Sequence, residues 1–430
     1  MSLIIIIVFV LGYAAIAFEH PLKLNKTAPA LVTGVLCWTV YAMSGAEHAE
    51  VSSELSHHLS GISEILFFLL GAMTIVELID AHEGFTVITG RIKTTDPVKL
   101  MWIICLIAFV LAAVLDNLAA SIVAVTLSRK LITNTDLRKY YAGMIIIAAN
   151  AGGLWSPIGS VTTTMLWIGE RITAQAAITT LILPGIINLL VPLMIMQVVL
   201  KRKLKKHFAG MTVTEDISNA STERGSALMF YIGIGALLLV PVFKTITHLP
   251  PYSGMLLSLG LVWFFSEIIH KDKDEEEKKP LSVSSALSRI DTSSVLFFLG
   301  ILIAIAALES TGMLKATAVG LDKFVGNLDV IAIIIGLASA IVDNVPLVAA
   351  SMGMYDINTF PIDDKLWGFL AYTAGTGGSV LIIGSAAGVA VMGMEKLDFI
   401  WFMKKISLLA LLGFFAGSAV YLLLYPLLHN

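Results

Sequence analysis

Charged residues are scarce in this sequence. Only 14% of its 430 residues are Asp, Glu, Lys or Arg, whereas 57% are hydrophobic. Soluble domains carry about 25% charged residues, so this composition excludes a soluble enzyme or binding module. Many apolar runs approach the length of about 20 residues that spans a bilayer as a helix. The sequence therefore predicts an all-α polytopic membrane protein.

Cysteine is nearly absent as well. Cys37 and Cys105 are the only two, and both lie in apolar runs, so neither a disulfide framework nor a zinc site is indicated. The opening run, residues 3–18, could pass for the core of a signal peptide. It lacks the basic residues before it and the clear cleavage site of such a peptide. We therefore interpret it as a first membrane-spanning helix.

The apolar runs form two series of six, separated by polar linkers. The first series lies at about 3–18, 28–43, 62–79, 100–127, 140–168 and 176–200. The second series lies at about 226–243, 253–270, 294–310, 328–352, 366–392 and 400–428. The most hydrophilic linkers are Lys201–Gly225 and His270–Asp291. The charged run Lys271–Lys279 in the second linker is interpreted as a solvated loop.

The two series resemble each other in sequence. Ile-Leu-Phe-Phe-Leu at 65–69 is echoed by Val-Leu-Phe-Phe-Leu at 295–299. Ala-Gly-Gly at 151–153 is likewise echoed by Thr-Gly-Gly at 376–378. A duplicated membrane chain is typical of a secondary transporter, and we predict such a duplication here.

The distribution of positive charge predicts how the two copies face. We take runs 100–127 and 328–352 as re-entrant hairpins and let every other run cross the membrane once. The cytoplasmic side then holds all 28 Lys and Arg residues except Arg171, Lys244, Lys315, Lys323 and Lys365. Cytoplasmic loops are rich in Lys and Arg, so this topology is favoured, and it makes the repeats inverted. The predicted division is a first repeat at 1–200, a cytoplasmic linker at 201–225 and a second repeat at 226–430.

Each predicted hairpin carries an Asp-Asn pair in its apolar run, Asp116–Asn117 in the first and Asp343–Asn344 in the second. An ionised Asp near the bilayer centre costs about 2.5–3.5 kcal/mol, so we expect two Asp residues in matching places to have a functional role. The same runs contain no Lys or Arg to neutralise them. The alternative is that each Asp makes a structural hydrogen bond or ion pair.

Runs 140–168 and 366–392 are interrupted by small residues, and we predict a broken transmembrane helix in each. Backbone groups freed at that depth are tolerated only where they line protein or a wet cavity. Close helix packing is the alternative explanation for the small residues, and back-bonding to their own helix is the alternative for Thr162, Thr163 and Thr164. Hairpin tips that meet the helix breaks would form a cage of oxygen ligands. Its predicted members, besides the Asp-Asn pairs, are Asn150, Ser160, Thr162, Thr163, Thr376, Ser379 and Ser385.

Oxygen ligands of this kind suit hard cations. Burial disfavours the ionised form of a carboxyl, so a proton and a cation can compete for the oxygens of Asp116 and Asp343. Competition of this kind is sufficient for antiport, because one ion must leave before the other binds. We therefore predict that Na⁺ binds at Asp116 and Asp343.

Other titratable residues lie near the ends of run 62–79. Glu64, Glu77, Asp80 and His82 are candidates for a proton path or for pH sensing, although an acid at a helix end often merely reaches water. The acids and histidines at 47–58 are predicted to form a solvated linker outside the membrane.

With these residues in place, the sequence resembles the NhaD family of bacterial sodium/proton antiporters, within the Ion Transporter superfamily. The resemblance covers nearly the whole chain, and its strongest markers are Leu-Asp-Asn at 115–117 and Val-Asp-Asn at 342–344. It implies exchange of Na⁺ or Li⁺ for H⁺ across the bacterial inner membrane, in support of pH homeostasis and salt tolerance. It also implies a transporter that is not an enzyme, with no cofactor and no nucleic-acid partner.

The superfamily fold implies a homodimer in membrane lipid. In that fold a transport domain, which contains the hairpins and broken helices, moves like an elevator against a static scaffold. The family's polar positions correspond to Asp116, Asn117, Asn150, Thr162, Thr163, Asp343, Asn344, Ser379 and Ser385. At Ser160, where the family analogy suggests a further acid, this chain has a hydroxyl.

Three alternatives remain open. Anion carriers of the same superfamily, for arsenite or dicarboxylates, should favour neutral hydroxyls, amides and helix N-termini, and two uncompensated Asp residues oppose them. An intramembrane aspartyl protease needs two carboxyls that share a proton about 3 Å apart. The third alternative is a passive cation channel, but inverted repeats with closed hairpins are more suitable for alternating access than for a channel.

Overall fold

The structure is a computed structural model that describes residues 2–17, 24–44, 47–89, 92, 94–207, 224–271 and 274–428. All regular secondary structure in these residues is helical, which confirms the predicted all-α class. Six of the described helices are long and apolar enough to cross a membrane. The chain is therefore a polytopic membrane protein.

The helices of the first half of the chain are α1 to α9. Their bounds are Ser2–Ala17, Thr27–Ala42, His48–Ala81, Thr86–Thr89, Pro97–Ala112, Asn117–Leu131, Thr135–Gly153, Val161–Ile168 and Ala174–His207.

The helices of the second half are α10 to α21. The first six are Arg224–Thr247, Pro251–Ile269, Glu275–Lys278, Val283–Arg289, Thr292–Ser310 and Met313–Val325. The next six are Leu328–Ala338, Asn344–Met354, Lys365–Gly377, Ala386–Glu395, Phe399–Phe402 and Leu408–Leu428. A 3₁₀ turn, Lys279–Leu281, follows α12, and a π-helical turn, Met403–Ser407, precedes α21.

Local sequence determines where several helices begin and end. Before α5, the carboxylate of Asp96 accepts a hydrogen bond of 2.8 Å from the N–H of Val98, and Pro97 occupies the first turn, which needs no N–H. Glu170 and Lys396 follow α8 and α19 in the left-handed conformation, with φ of 55° and 49°, as is common at helix ends. The two helices therefore end in the same way.

Three predicted linkers are partly helical. Residues 48–58 are mostly exposed and belong to α3, where the Tyr41 hydroxyl donates to Glu54 at 3.1 Å. Residues 201–207 continue α9, because Lys, Arg and Leu are good helix formers. The charged run at 271–279 is helical or 3₁₀ over 275–279.

The longer helices pack as two groups. The α2 group comprises α1, α2, α3, α10, α11 and α14, and its tightest contact is that of α2 with α14. There a methyl group on Gly34 would lie 2.6 Å from the carbonyl oxygen of Gly300, so the two backbones approach as closely as small residues allow. The α7 group comprises α5, α6, α7, α9, α16, α18, α19 and α21. Helices α8 and α17 contact both groups.

Candidate cation site

Asp116 lies in the turn between α5 and α6, two helices that pack along each other. Its Oδ1 accepts a hydrogen bond of 2.7 Å from the N–H of Ala119 and so caps α6. Its backbone has φ 137° and ψ 168°, a region that is essentially reserved for glycine. Such strain persists only where the surroundings enforce it, and it is concentrated at functional sites.

Asn150 connects this turn to the second half of the chain. Its Oδ1 accepts a hydrogen bond of 2.8 Å from Asn117, and its Nδ2 donates to the hydroxyls of Ser379 at 2.8 Å and Ser385 at 3.0 Å. All four side chains are buried. We call these four residues the Asn150 cluster. Both amide protons of Asn150 and its oxygen are engaged, so the orientation of the amide is fixed.

The serines of this cluster lie in a helix break. Helix α18 ends at Gly377 and α19 begins at Ala386, and the corresponding break in the first half runs from the end of α7 at Gly153 to the start of α8 at Val161. Both breaks lie within the runs in which an interrupted helix is predicted. The N-termini of α8 and α19 begin at these breaks, where their partial positive charge opposes a cation and favours an anion.

The helix that ends at each break packs through a glycine against a neighbouring helix. A methyl group on Gly152 would overlap the carbonyl oxygen of Phe109 in α5, and one on Gly377 would overlap that of Gly336 in α16. The same relationship therefore occurs in both halves of the chain. Close packing, the alternative explanation for the small residues, accounts for these two glycines.

The predicted threonine ligands bond mainly to backbone. The Thr163 hydroxyl donates to the carbonyl of Leu154 at 3.1 Å, within the first break. The Thr376 hydroxyl donates to the carbonyl of Tyr372 at 2.7 Å, within its own helix. Their hydroxyl protons thus satisfy backbone carbonyls.

Ser160 and Thr162 form a separate pair. Their hydroxyl oxygens are 2.9 Å apart, and both side chains are buried. The Thr162 oxygen also lies 3.7 Å from where a methyl group on Gly375 would be. The pair therefore lies between the first break and helix α18, next to the residue that corresponds to Asn150 in the second half.

Asp343 has a different environment from Asp116. Its Oδ1 accepts a hydrogen bond of 3.2 Å from the N–H of Val345, which caps α17. Its Oδ2 lies 3.2 Å from Nζ of Lys26, with 13% and 22% of the two side chains exposed. The expectation that Asp343 has no neutralising partner is therefore wrong. Lys26 belongs to the segment before α2, and only the fold brings it to Asp343.

The two Asp-Asn pairs are not joined to each other. Among the described residues, no hydrogen bond or ion pair links Asp116 or Asn117 to Asp343 or Asn344. Asn344 is buried at the start of α17 but lies outside the Asn150 cluster. Among the described residues, hydrogen bonds thus place Asn117 but not Asn344 in the Asn150 cluster.

A cavity of about 240 Å³ lies between α3 and α6. It is lined by Glu77, Asp80 and Lys130, and also by Ala119, whose N–H donates to the Asp116 carboxylate. Glu77 is paired with Arg289 at 2.9 Å. Two of the four residues suggested for a proton path therefore share a cavity that reaches the helix of Asp116.

The other two residues suggested for that path lie elsewhere. Glu64 lines a second cavity, of about 400 Å³, together with Glu309 and His58. His82 is buried, and its Nε2 lies 2.7 Å from Nε2 of His270. The four residues thus occupy three separate places.

Sequence reasoning missed three features. Lys26 and His270 were counted only as members of polar linkers. The third is Glu395, whose side chain is 1% exposed and accepts from Nε of Arg129 at 2.6 Å and of Arg138 at 2.7 Å. The only signal was an acid at the end of an apolar helix, and its basic partners lie more than 250 positions away in sequence.

Comparison with known proteins adds independent information. A protein-family model described as a citrate transporter matches residues 13–367. Sodium/proton antiporter 1 of Arabidopsis thaliana is 47% identical over 98% of this chain and 72% of its own length. Sodium/proton antiporter 2 of the same plant is 46% identical over 97% of this chain and 98% of its own length. The Na(+)/H(+) antiporter NhaD of Vibrio cholerae is 29% identical over 97% of this chain and 91% of its own length.

Proposed function

Since the chain belongs to the NhaD-type sodium/proton antiporter family, we propose that it exchanges Na⁺ or Li⁺ for H⁺ across a membrane. The relatives that carry the name sodium/proton antiporter align with almost the whole chain, which supports a transporter and not an enzyme. The transported ions are substrates, and the exchange needs no cofactor.

The observation that carries the proposal is the placement of Asp116. Asp116 directly precedes Asn117 of the buried Asn150 cluster, and its backbone is strained. No Lys or Arg among the described residues pairs with its carboxylate. Carboxylate, amide and hydroxyl oxygens are suitable ligands for a hard cation. Asp116 and Asp343 are the proposed shared sites for cation and proton, because a protonated carboxyl no longer attracts a cation.

We further propose alternating access of the elevator type. The α2 group would be the static scaffold, and the α7 group with α8 and α17 the moving transport domain. Cavities at the contacts between α3 and α6 and between α14 and α17 support this division, since they lie between the two groups. Equivalent glycine contacts and helix ends in the two halves support a repeat, and the distribution of Lys and Arg supports its inversion. The homodimer is proposed on family resemblance alone.

The membrane in which the protein acts is part of the proposal. The sequence analysis predicts the bacterial inner membrane, with residues 201–225 on its cytoplasmic side. Relatives from a plant as well as from bacteria make a restriction to bacteria doubtful. We therefore propose a membrane that maintains a proton gradient, of which the bacterial inner membrane is one case.

Anion transport is the second candidate, because the matching family model is described as a citrate transporter. Hydroxyl and amide donors of the Asn150 cluster lie near the N-terminus of α19, a combination that can bind a carboxylate. An ionised Asp116 beside the same cluster would repel such a substrate. We therefore favour the cation.

A substrate screen tests the proposal. The purified protein is reconstituted into liposomes with an internal pH dye, the lumen is acidified, and Na⁺, Li⁺, K⁺ or citrate is added outside at constant ionic strength. Alkalinisation of the lumen by Na⁺ or Li⁺, but not by K⁺, is the expected result. A response to citrate alone would replace the proposal with the anion carrier.

A further inference from the structure

The ammonium group of Lys26 is held between two partners. It lies 3.2 Å from Oδ2 of Asp343 and 4.3 Å from the centre of the Phe297 ring. The carboxylate and the face of an aromatic ring both attract a cation. A lysine of the same chain therefore occupies a position whose surroundings favour a cation.

The segment that carries Lys26 is attached to the α2 group. The Thr27 hydroxyl donates to the carbonyl of Ser293 at 2.9 Å, and Asn25 Nδ2 donates to the Ser293 hydroxyl at 3.0 Å. Ser293 and Phe297 both belong to α14. The residues on either side of Lys26 thus fix it to the helix that carries its aromatic partner.

Asp343 belongs to a different part of the molecule. It caps α17, which contacts α14 of the α2 group as well as α8 and α18, and it follows α16, which packs against α18 of the α7 group. The proposed division assigns α16 and α17 to the transport domain. The ion pair of Lys26 and Asp343 therefore spans the two sides that must separate in an elevator mechanism.

We propose that the Lys26 ammonium is a resident competitor for Na⁺ at Asp343 and docks the α16–α17 turn on the α2 group until a cation displaces it. This inference rests on the proposed exchange of Na⁺ for H⁺. When the Lys26 ammonium is displaced, it keeps its contact with the Phe297 ring and forms hydrogen bonds with water, which its 22% exposed side chain can reach.

Displacement conserves charge at the carboxylate, because one monovalent cation replaces another. The buried hydroxyl of Tyr13, in α1 of the α2 group, has no hydrogen-bond partner among the described residues. A bound Na⁺ accepts oxygen ligands, whereas the ammonium requires acceptors in the directions of its protons.

The test compares Lys26→Met and Lys26→Arg with the wild type. Lys26→Met keeps an unbranched apolar stem and removes the charge, whereas Lys26→Arg keeps the charge and strengthens carboxylate pairing. Lys139→Met is the matched control, since Lys139 forms an ion pair of 2.9 Å with Asp136, whose side chain is 72% exposed. Exchange is measured against Na⁺ concentration at constant ionic strength with choline as the replacement.

The expected result is a half-saturating Na⁺ concentration that is lower by about fivefold in Lys26→Met, the scale of a partly exposed ion pair. Lys26→Arg should have the same value as wild type or a higher one, and Lys139→Met the wild-type value. Competition therefore predicts that the half-saturating Na⁺ concentration is lowest in Lys26→Met and is no higher in the wild type than in Lys26→Arg. A merely structural role would lower the maximal rate of Lys26→Met without lowering the half-saturating concentration.

A second readout does not depend on transport. Na⁺ that binds the folded protein raises its unfolding temperature, and in detergent this rise should begin at lower Na⁺ in Lys26→Met. In an Asp343→Asn background, Lys26→Met should have no further effect, because the two changes remove the same interaction. If wild-type protein exchanges Na⁺ but Lys26→Met has the same half-saturation and thermal response as Lys139→Met, the inference is wrong. If the wild type does not exchange Na⁺ at all, the proposed function itself fails.

Discussion

Nδ2 of Asn150 in α7 donates a hydrogen bond of 2.8 Å to the hydroxyl of Ser379 in the break between α18 and α19. This bond joins the two halves of the chain inside a buried cluster. Because Asn117 in turn donates to Asn150, the turn that holds Asp116 is positioned by residues from both halves. A change at Asn150 should therefore affect both the stability of the fold and the site.

Asn150→Ala is expected to lower the unfolding temperature and raise the half-saturating Na⁺ concentration. It leaves the buried amide of Asn117 without its acceptor and the Ser379 hydroxyl without its donor, at a cost of about 1–3 kcal/mol for each buried group left unsatisfied. The Ser385 hydroxyl keeps its hydrogen bond from the N–H of Gly388. Thermal unfolding and Na⁺-dependent exchange measure the two effects.

The control for this change is Asn188→Ala. Asn188 is also buried and donates to the Tyr372 hydroxyl at 3.2 Å, but it lies outside the Asn150 cluster. Asn188→Ala should lower the unfolding temperature and leave the half-saturating Na⁺ concentration unchanged. Equal Na⁺ dependence in both variants would remove the cluster from the site.

Asp116→Gly and Asp116→Ala should differ in stability and agree in function. Both remove the carboxylate, so both should abolish exchange. At φ 137° and ψ 168° only glycine is unstrained, so the Gly variant should be more stable than the Ala variant by about 1–3 kcal/mol. Chemical unfolding monitored by tryptophan fluorescence gives the difference, and a more stable Ala variant would refute the strain.

The helical class was predictable because hydrophobic run length alone determines which segments can span a bilayer. The interruptions near Gly153 and Gly377 were predictable for a local reason, the density of small residues. The contact of Lys26 with Asp343 was not, because the two lie 317 positions apart and nothing near Lys26 in sequence distinguishes it from other basic linker residues. Local patterns determine helices, whereas the pairing of charges depends on how distant helices pack.

Gly152→Ala and Gly377→Ala should each destabilise the protein, because the new methyl group would overlap a backbone carbonyl oxygen. Gly235→Ala is the matched control, since a methyl group there meets nothing within 4 Å. Alanine favours a helix over glycine by about 0.5–1 kcal/mol, so the control should be slightly more stable than wild type. Folded yield and unfolding temperature are the measurements. A neutral Gly152→Ala or Gly377→Ala would contradict the close contact.

Glu395→Gln should destabilise the fold without changing the apparent affinity for Na⁺. The buried carboxylate of Glu395 pairs with Arg129 and Arg138, and breaking a buried ion pair costs about 3–5 kcal/mol. Part of this cost is relieved because Arg129 can reach water. Unfolding temperature and the half-saturating Na⁺ concentration are compared with wild type. A shift in Na⁺ dependence without loss of stability would instead place Glu395 on the ion path.

Part of the predicted site was also beyond sequence reasoning. Thr376 looks the same in sequence whether its hydroxyl faces a cation or its own helix, and the fold directs it to the carbonyl of Tyr372. Asp116 and Asp343 look equivalent in sequence, yet only Asp343 receives a lysine among the described residues. These differences arise from packing between helices that are distant in the chain.

The most direct test of the central claim is Na⁺-driven alkalinisation of acidified proteoliposomes that contain Asp116→Asn or Asp343→Asn. Asp136→Asn is the matched control, because it makes the same change at an exposed carboxylate. We predict that both site variants fold, as judged by a single size-exclusion peak, and lose Na⁺/H⁺ exchange, while the control retains it. Wild-type exchange in both folded site variants would contradict the assignment of the two aspartates as the shared sites for Na⁺ and H⁺.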